Sequence, residues 1–449
     1  MTTSVDLLLR GGTAVTPQGT EVTHIGVSGG RIAWIGSDLT GAPTARETID
    51  VSGLHVLPGV IDPQVHFREP GGEHKEDLET GTRAAVLGGV TAILEMPNTE
   101  PPTTTVAALE EKLRLASGRA WCDHAFFVGA RPDNLETLGD LELNPGCAGV
   151  KIFMGKSTGG LLVDSEEALD IALSSGRRRV AVHAEDEARM RERKPIVEAS
   201  HDVRDHPNWR DAESARLATE RLLRVARKVG RRVHVLHVTT GDELPLLAAN
   251  RDLATFETTP QHLTLSAPDC YDRLGTFAQM NPPIRTAEHR EALWGAVQSG
   301  LLDAIGSDHA PHTREEKARD YPSSPSGMTG VQTLVPVMLN HVHEGRLSLD
   351  RFVDLTSTGP ARVYGLVRKG RISPGYDADF TVVDLAETRV VEENWIASRC
   401  GWSPFSGVSL TGWPRLTVVR GSVVMRDLET VGAPLGRPVE FLETLQPGG

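Results

Sequence analysis

Cysteine is scarce in this chain. The four present, Cys122, Cys147, Cys270 and Cys400, are scattered and form no Cys-x-x-Cys pair. With no secretory context to pair them, no disulfide framework is expected and the thiols read as reduced. Long apolar runs are missing too: no stretch approaches the roughly 20 consecutive apolar residues of a membrane span. The start, Met1-Thr2-Thr3-Ser4-Val5-Asp6, has no basic segment followed by an apolar core, so a cytoplasmic protein without membrane contact is expected. Positive charge is in deficit, with 47 basic against 60 acidic residues for a net −13. That argues against nucleic acid as a partner, which calls for a basic stripe. The clusters Arg177-Arg178-Arg179 and Arg231-Arg232 each precede an apolar strand and read as solvated helix ends. No long run is of low complexity. With 39% hydrophobic and 24% charged residues over 449 positions, the chain suits one large globular domain and a smaller one.

What is there falls into three textures. The first part, through residue 56, reads as short strands separated by glycine turns, such as Asp6-Leu7-Leu8-Leu9 before Gly11-Gly12 and His24-Ile25-Gly26-Val27 before Gly29-Gly30. The last part, 369–449, returns to this pattern with Asp379-Phe380-Thr381-Val382-Val383-Asp384 and Leu416-Thr417-Val418-Val419. Between them, 57–368 alternates strand, loop and helix. Candidate strands cover 56–67, 91–96, 124–128, 150–154, 180–184, 233–238, 254–258 and 304–307, with apolar i, i+3, i+4 helices such as 106–115 and 212–229 between them. Eight parallel strands with intervening helices predict an α/β fold, a (β/α)8 TIM-like barrel inserted into a small β-sandwich domain formed by both termini. An open doubly wound sheet is the alternative, but no Gly-x-Gly-x-x-Gly follows the first strand. Polar residues also cluster at the strand ends, which converge on one face of a barrel.

Lys151 sits mid-run in Gly149-Val150-Lys151-Ile152-Phe153-Met154-Gly155 with no acidic neighbour. A buried ammonium is costly, so such a lysine deprotonates, pairs with an anion or is chemically converted. Other apolar runs end in His66, His183 and His237, and Asp308 closes the eighth strand. Imidazoles on three separate strands suit zinc, iron and related ions. A carbamate on Lys151, formed from its neutral amine and carbon dioxide, would add a ligand able to bridge two metals and would remove the cost of the buried cation. Asp308 can both ligate a metal and shuttle a proton. His312, four residues on, would meet substrate. Gln64 shares its strand face with His66, while His234, three residues before His237, is expected on the opposite face and outside the site.

The segments Leu57-Pro58-Gly59-Val60-Ile61-Asp62, His66-Phe67-Arg68-Glu69-Pro70-Gly71, Glu95-Met96-Pro97-Asn98-Thr99, Val182-His183-Ala184-Glu185, His237-Val238-Thr239, Met280-Asn281-Pro282-Pro283 and Ser307-Asp308-His309-Ala310-Pro311-His312 carry a resemblance. Together with the Lys151 strand and Ser326-Gly327-Met328-Thr329, they resemble the cyclic amidohydrolases of the amidohydrolase superfamily, the dihydroorotase branch most closely. The resemblance covers nearly the whole chain, although single pieces are shared with hydantoinases, dihydropyrimidinases and allantoinases. It implies a metal-dependent hydrolase that interconverts dihydroorotate and N-carbamoyl-aspartate in pyrimidine synthesis. His183, His237 and the Lys151 carbamate would hold one Zn2+, and His66, the other carbamate oxygen and Asp308 a second. Asp308 would carry the proton from attacking water to the departing nitrogen. Arg68 and Asn98 would grip a substrate carboxylate, and Asn281, His312, Ser326 and Gly327 would contact ring and carboxylate. Family members often form homo-oligomers, and one possible partner is aspartate transcarbamoylase.

Two positions depart from the pattern. Gln64 stands where the family has His, and a neutral amide oxygen is a weaker donor than imidazole. The second metal position is then expected to be loosened. The outcomes are two metals with Gln64 or water filling the gap, one metal on Lys151, His183 and His237, or a non-catalytic relative kept for assembly. Pro260-Gln261-His262, at the end of the seventh strand, stands where many relatives have a His pair or a Tyr.

Overall fold

Glycine turns and alternating apolar residues fold the N-terminal segment into a meander in the computed structural model, which describes residues 4–156 and 160–444. Strands β1 (Ser4–Thr16), β2 (Gly19–Ser28) and β3 (Arg31–Gly36) pair antiparallel in sequence order, and β4 (Thr44–Asp50) and β5 (His55–Pro58) lie parallel to β1. The β2–β3 hairpin turns on Gly29 and Gly30, both at positive φ (57° and 77°), as a two-residue loop matching the strand twist demands. Leu7, Leu9, Ile25, Val27 and Ile32 point to one side and are buried there.

The middle of the chain builds the barrel. Its strands are β6 (Val60–Val65), β7 (Val90–Glu95), β8 (Asp123–Gly129), β9 (Cys147–Phe153), β10 (Val180–His183), β11 (Val233–Val235), β12 (Ala254–Thr258) and β13 (Ala304–Ile305), all parallel and hydrogen-bonded in sequence order. The ends meet where Val65 bridges His309 and the His66 N–H donates to the His309 carbonyl at 2.7 Å. Every residue of β6 to β11 is buried, as parallel strands covered by helices require. The helix Ala212–Val229 shows how such a cover forms. Asp211 caps it by accepting from Ser214 N, Gly230 ends it at φ 73°, and Ala215, Ala218, Leu222, Leu223 and Ala226 are buried.

The chain then returns to the first sheet. β14 (Phe380–Val390) pairs antiparallel with β5, and β15 (Ser409–Val419), β16 (Ser422–Arg426) and β17 (Glu429–Thr430) extend it. The two termini thus share one continuous nine-strand sheet. Phe380, Val382, Leu416 and Val418 from its C-terminal half pack with the N-terminal apolar residues in a single core. The outermost residues of both segments, 1–3 and 445–449, lie outside the described residues. Among the described residues no helix is long and apolar enough to cross a membrane.

Three expectations change. The strand expected over 56–67 is two: β5 belongs to the small sheet and β6 to the barrel. They part at Gly59, where a Cβ would fall 2.3 Å from Thr91 Oγ1. The basic clusters are not wholly solvated, for Arg178 and Arg231 are buried. Arg178 donates to the carbonyls of Glu142, Cys147 and Ala148 at 2.6, 2.7 and 3.0 Å, and Arg231 pairs with Glu142 at 2.6 Å. Carbonyls where β9 enters the barrel need donors that solvent cannot reach, and these arginines supply them. Lastly, His234 is buried among inward-facing groups, bonded to Glu257 at 3.1 Å and packed on Tyr364.

Candidate active site

A cavity of about 340 Å³ opens at the C-terminal ends of the barrel strands. It is lined by Gln64, His66, Arg68, Asn98, Lys151, His183, His237, Asn281, Asp308, His312, Ser326 and Gly327. All the residues proposed from the sequence to hold metal, move a proton or bind substrate are therefore brought together. Phe153, Lys156, Ala310 and Pro325 also line it. Three of the lining residues hold left-handed backbone without being glycine: Arg68 (φ 64°), His237 (φ 36°) and Asp308 (φ 46°). Such conformations cost about 1–3 kcal/mol each and cluster where function over-determines the backbone. At His237 the break in extended backbone lets both His234 and His237 face inward.

Lys151 is fully buried, and its Nζ has no hydrogen-bond partner. Burial pulls its pKa from 10.5 down to about 7, partly opposed by the charges of Asp308 and Glu257. The amine is thus readily neutral, as carbamate formation requires.

The imidazoles are held in defined tautomers. His183 Nε2–H donates to Glu185 Oε2 at 2.8 Å, and Arg210 Nε donates to Glu185 Oε1 at 3.1 Å. His183 Nδ1 is left as a lone pair facing His237 Nε2 at 3.0 Å. His66 Nδ1–H donates to Asn98 Oδ1 at 2.6 Å, so His66 Nε2 faces Asp308 Oδ1 at 3.2 Å. Burial pushes the pKa of His66, His183 and His237 below the ordinary value, so the rings are neutral donors of the kind metals take. His66 Nε2 and Asp308 Oδ1 face each other as lone pair and anion, a contact that a cation between them would relieve. His183 Nδ1 accepts from His237 Nε2–H, and a cation in that proton's place would meet a lone pair on each ring. The residues fit a metal. Carboxylate and amide partners behind ligating histidines are a recurrent second layer.

Gln64 offers one amide atom to Asp308 and leaves the other unpartnered. Its Nε2 donates to Asp308 Oδ1 at 3.1 Å, while its buried Oε1 has no partner. Gln261 lies behind the site, with Nε2 donating to the Ser307 carbonyl at 2.9 Å. A second acidic cluster, Asp123, Asp377 and Asp379, is already paired with Lys369, with Arg420 on Asp123 and with Arg368 on Asp377. Lys369 Nζ lies 2.6, 3.1 and 2.5 Å from these three carboxylates.

The far wall carries positive charge. Arg68 Nε donates to the Pro311 carbonyl at 3.1 Å, and Nη2 lies 3.3 Å from His312 Nε2. His312 donates from Nε2 to the Ser326 carbonyl at 3.1 Å and accepts from Lys75 at Nδ1. The loop bearing Ser326 comes this close because Gly327 stands at φ 145°, where a Cβ would fall 2.2 Å from the Ala310 carbonyl.

Glu185 and Arg210 carry structural weight that sequence reading missed. The signal for Glu185 was available: two residues past His183, it belongs on the same face of an extended segment. Arg210 arrives from a loop 25 residues further on and has no such signal.

The sequence pattern of the amidohydrolase family matches residues 55–424. A dihydroorotase of Halobacterium salinarum is 38% identical over 422 residues, covering 93% of this chain and 97% of that protein. An allantoinase of Deinococcus radiodurans is 36% identical over 449 residues, covering 97% and 98%. The solved structure of L-hydantoinase (dihydropyrimidinase) from Arthrobacter aurescens superimposes with a TM-score of 0.92 at 31% identity, covering 97% of this chain and 99% of that one. Barrel, strand-end cluster and sequence agree, and the chain belongs to the amidohydrolase family.

Proposed function

We propose that this protein hydrolyses a cyclic amide bearing a carboxylate, dihydroorotate, reversibly to N-carbamoyl-aspartate. One observation carries the choice of substrate. Arg68 is a half-buried guanidinium on the cavity wall, and among the described residues no carboxylate lies within ion-pair distance of it. Burial lowers its pKa only to about 10, so it stays charged. A partly desolvated charge without a counterion is unfavourable, and a substrate carboxylate would supply one in the bidentate geometry Arg favours. The dihydroorotase of Halobacterium salinarum, related along nearly the whole chain, supports the same substrate.

Lys151 as its carbamate, His183 Nδ1 and His237 Nε2 would hold one zinc ion, and His66 Nε2 with Asp308 a second. When bound, zinc supplies a Lewis acid that brings the deprotonation of water near neutral pH. Asp308 accepts a proton from the attacking water as the water oxygen bonds to the ring carbonyl carbon. It returns that proton to the ring nitrogen as the carbon–nitrogen bond breaks. Gln64 Nε2, donating to Asp308 Oδ1, holds the carboxylate in place for both transfers. Asn98 and Glu185 keep His66 and His183 in the tautomers described, and Arg68 with His312 orients the substrate carboxylate.

The test compares substrates. Arg68→Met is expected to lower kcat/KM for dihydroorotate at least a hundredfold, while hydrolysis of uncharged hydantoin or dihydrouracil changes less than threefold. Equal losses on both would remove the carboxylate assignment. Wild-type turnover of allantoin with none of dihydroorotate would transfer the reading to the Deinococcus relative's substrate.

A further inference from the structure

His206 does not line the cavity, yet it is completely buried and holds three loops above the barrel together. It opens the four-residue helix His206–Trp209 in the excursion after β10. Its Nε2 lies 3.0 Å from the Met280 carbonyl and 3.0 Å from Asn281 Oδ1, both in the excursion after β12. Its Nδ1 lies 3.1 Å from the Tyr321 hydroxyl, in the excursion after β13.

The pattern admits one tautomer. A backbone carbonyl can only accept, so Nε2 carries the proton and donates to Met280 O and Asn281 Oδ1. Burial and the neighbouring Arg210 charge hold the ring neutral, its pKa pulled down to about 3. Nδ1 is then a lone pair accepting from the Tyr321 hydroxyl. Asn281 lines the cavity, and with Oδ1 held from behind, Nδ2 is the amide atom left to face it. Had Asn281 been free to turn over, the same wall would offer an acceptor instead of two donors.

We infer that His206 is a positioning residue that fixes Asn281 as a hydrogen-bond donor to a substrate carbonyl, making this wall selective for an acceptor. This rests on the cyclic-amide reading, since ring carbonyls are the acceptors such a substrate brings. The same segment also carries Arg210, which holds Glu185 and through it His183. One short element therefore aligns both the substrate-facing amide and a candidate metal ligand.

The test uses the full-length enzyme with metal content measured in every variant. His206→Leu removes the donor and is expected to raise KM for dihydroorotate about tenfold, with kcat changed less than threefold. His206→Gln, whose amide nitrogen replaces Nε2, is expected to restore most of that loss. In an Asn281→Ala background, His206→Leu should cost nothing further, because the group it positions is gone. Tyr321→Phe, a milder change, should shift KM the same way by a smaller factor. Undiminished loss in the Asn281→Ala background, or failure of Gln to rescue, would overturn the assignment. Nitrogen-15 spectra of the histidine-labelled wild type, with His206 assigned by its loss in His206→Gln, read the tautomer without any substrate. A ring protonated at Nε2 is expected, and one protonated at Nδ1 would overturn the assignment. Failure of the wild type to turn over dihydroorotate would instead count against the substrate reading and leave the tautomer result standing.

Discussion

His183 Nδ1 and His237 Nε2 face each other at 3.0 Å with their rings near perpendicular, at 80°. Because the opposite nitrogen of His183 already donates to Glu185, His183 Nδ1 keeps a lone pair for His237 Nε2–H or for a cation in that proton's place. Glu185→Gln should therefore weaken metal binding about 10–100-fold while leaving the barrel folded. Competition with a chelator of known affinity reads the change, and unaltered affinity would show that the carboxylate does not act through His183.

Lys151→Ala is expected to lower bound metal and turnover together. The variant should be at least as thermally stable as the metal-free wild type, since a buried amine without a partner is removed. Metal analysis and calorimetry check both halves. Full metal occupancy with normal turnover in Lys151→Ala would refute the carbamate.

Gln64→Ala removes the amide that donates to Asp308. A hydrogen bond to a charged acceptor is worth about 1.5–3 kcal/mol, so kcat should fall roughly 10–100-fold with KM little changed. A rise in KM alone would place Gln64 in substrate binding.

Lys317 gives a pH signature away from the metal. It is buried and donates to the carbonyls of Gln279 and Pro325, each at 2.9 Å, behind the Ser326–Gly327 loop. Burial lowers its pKa from 10.5 to about 7. Between these values the unfolded chain binds more protons than the folded one, so stability rises with pH. The penalty is absent above about 10.5 and complete below about 7, an upper bound of roughly 5 kcal/mol. Denaturant unfolding of wild type and Lys317→Met from pH 7 to 9.5 should give curves whose difference changes in that direction. A constant difference would mean the lysine titrates normally.

Much of the site was legible because strand periodicity is simple. His66, His183 and His237 end apolar runs, Gln64 sits two residues from His66, and Lys151 stands out as a charge with nothing beside it in the sequence. What stayed hidden depends on backbone breaks and distant partners. The positive φ of His237 cancels the alternation that set His234 aside. Arg178 and Arg231 look like solvated cations until Glu142 and the entry of β9 are placed against them. Asn98 could be assigned to substrate from the resemblance, but its hold on His66 appears only once β6 and β7 lie side by side.

The most direct test is dihydroorotate ring opening by protein whose zinc is quantified in the same sample. The account predicts turnover with one or two zinc ions per chain, lost on chelation and regained on adding zinc with bicarbonate. Stoichiometric zinc with no turnover of dihydroorotate or of any uncharged cyclic amide, or turnover untouched by complete zinc removal, would contradict it.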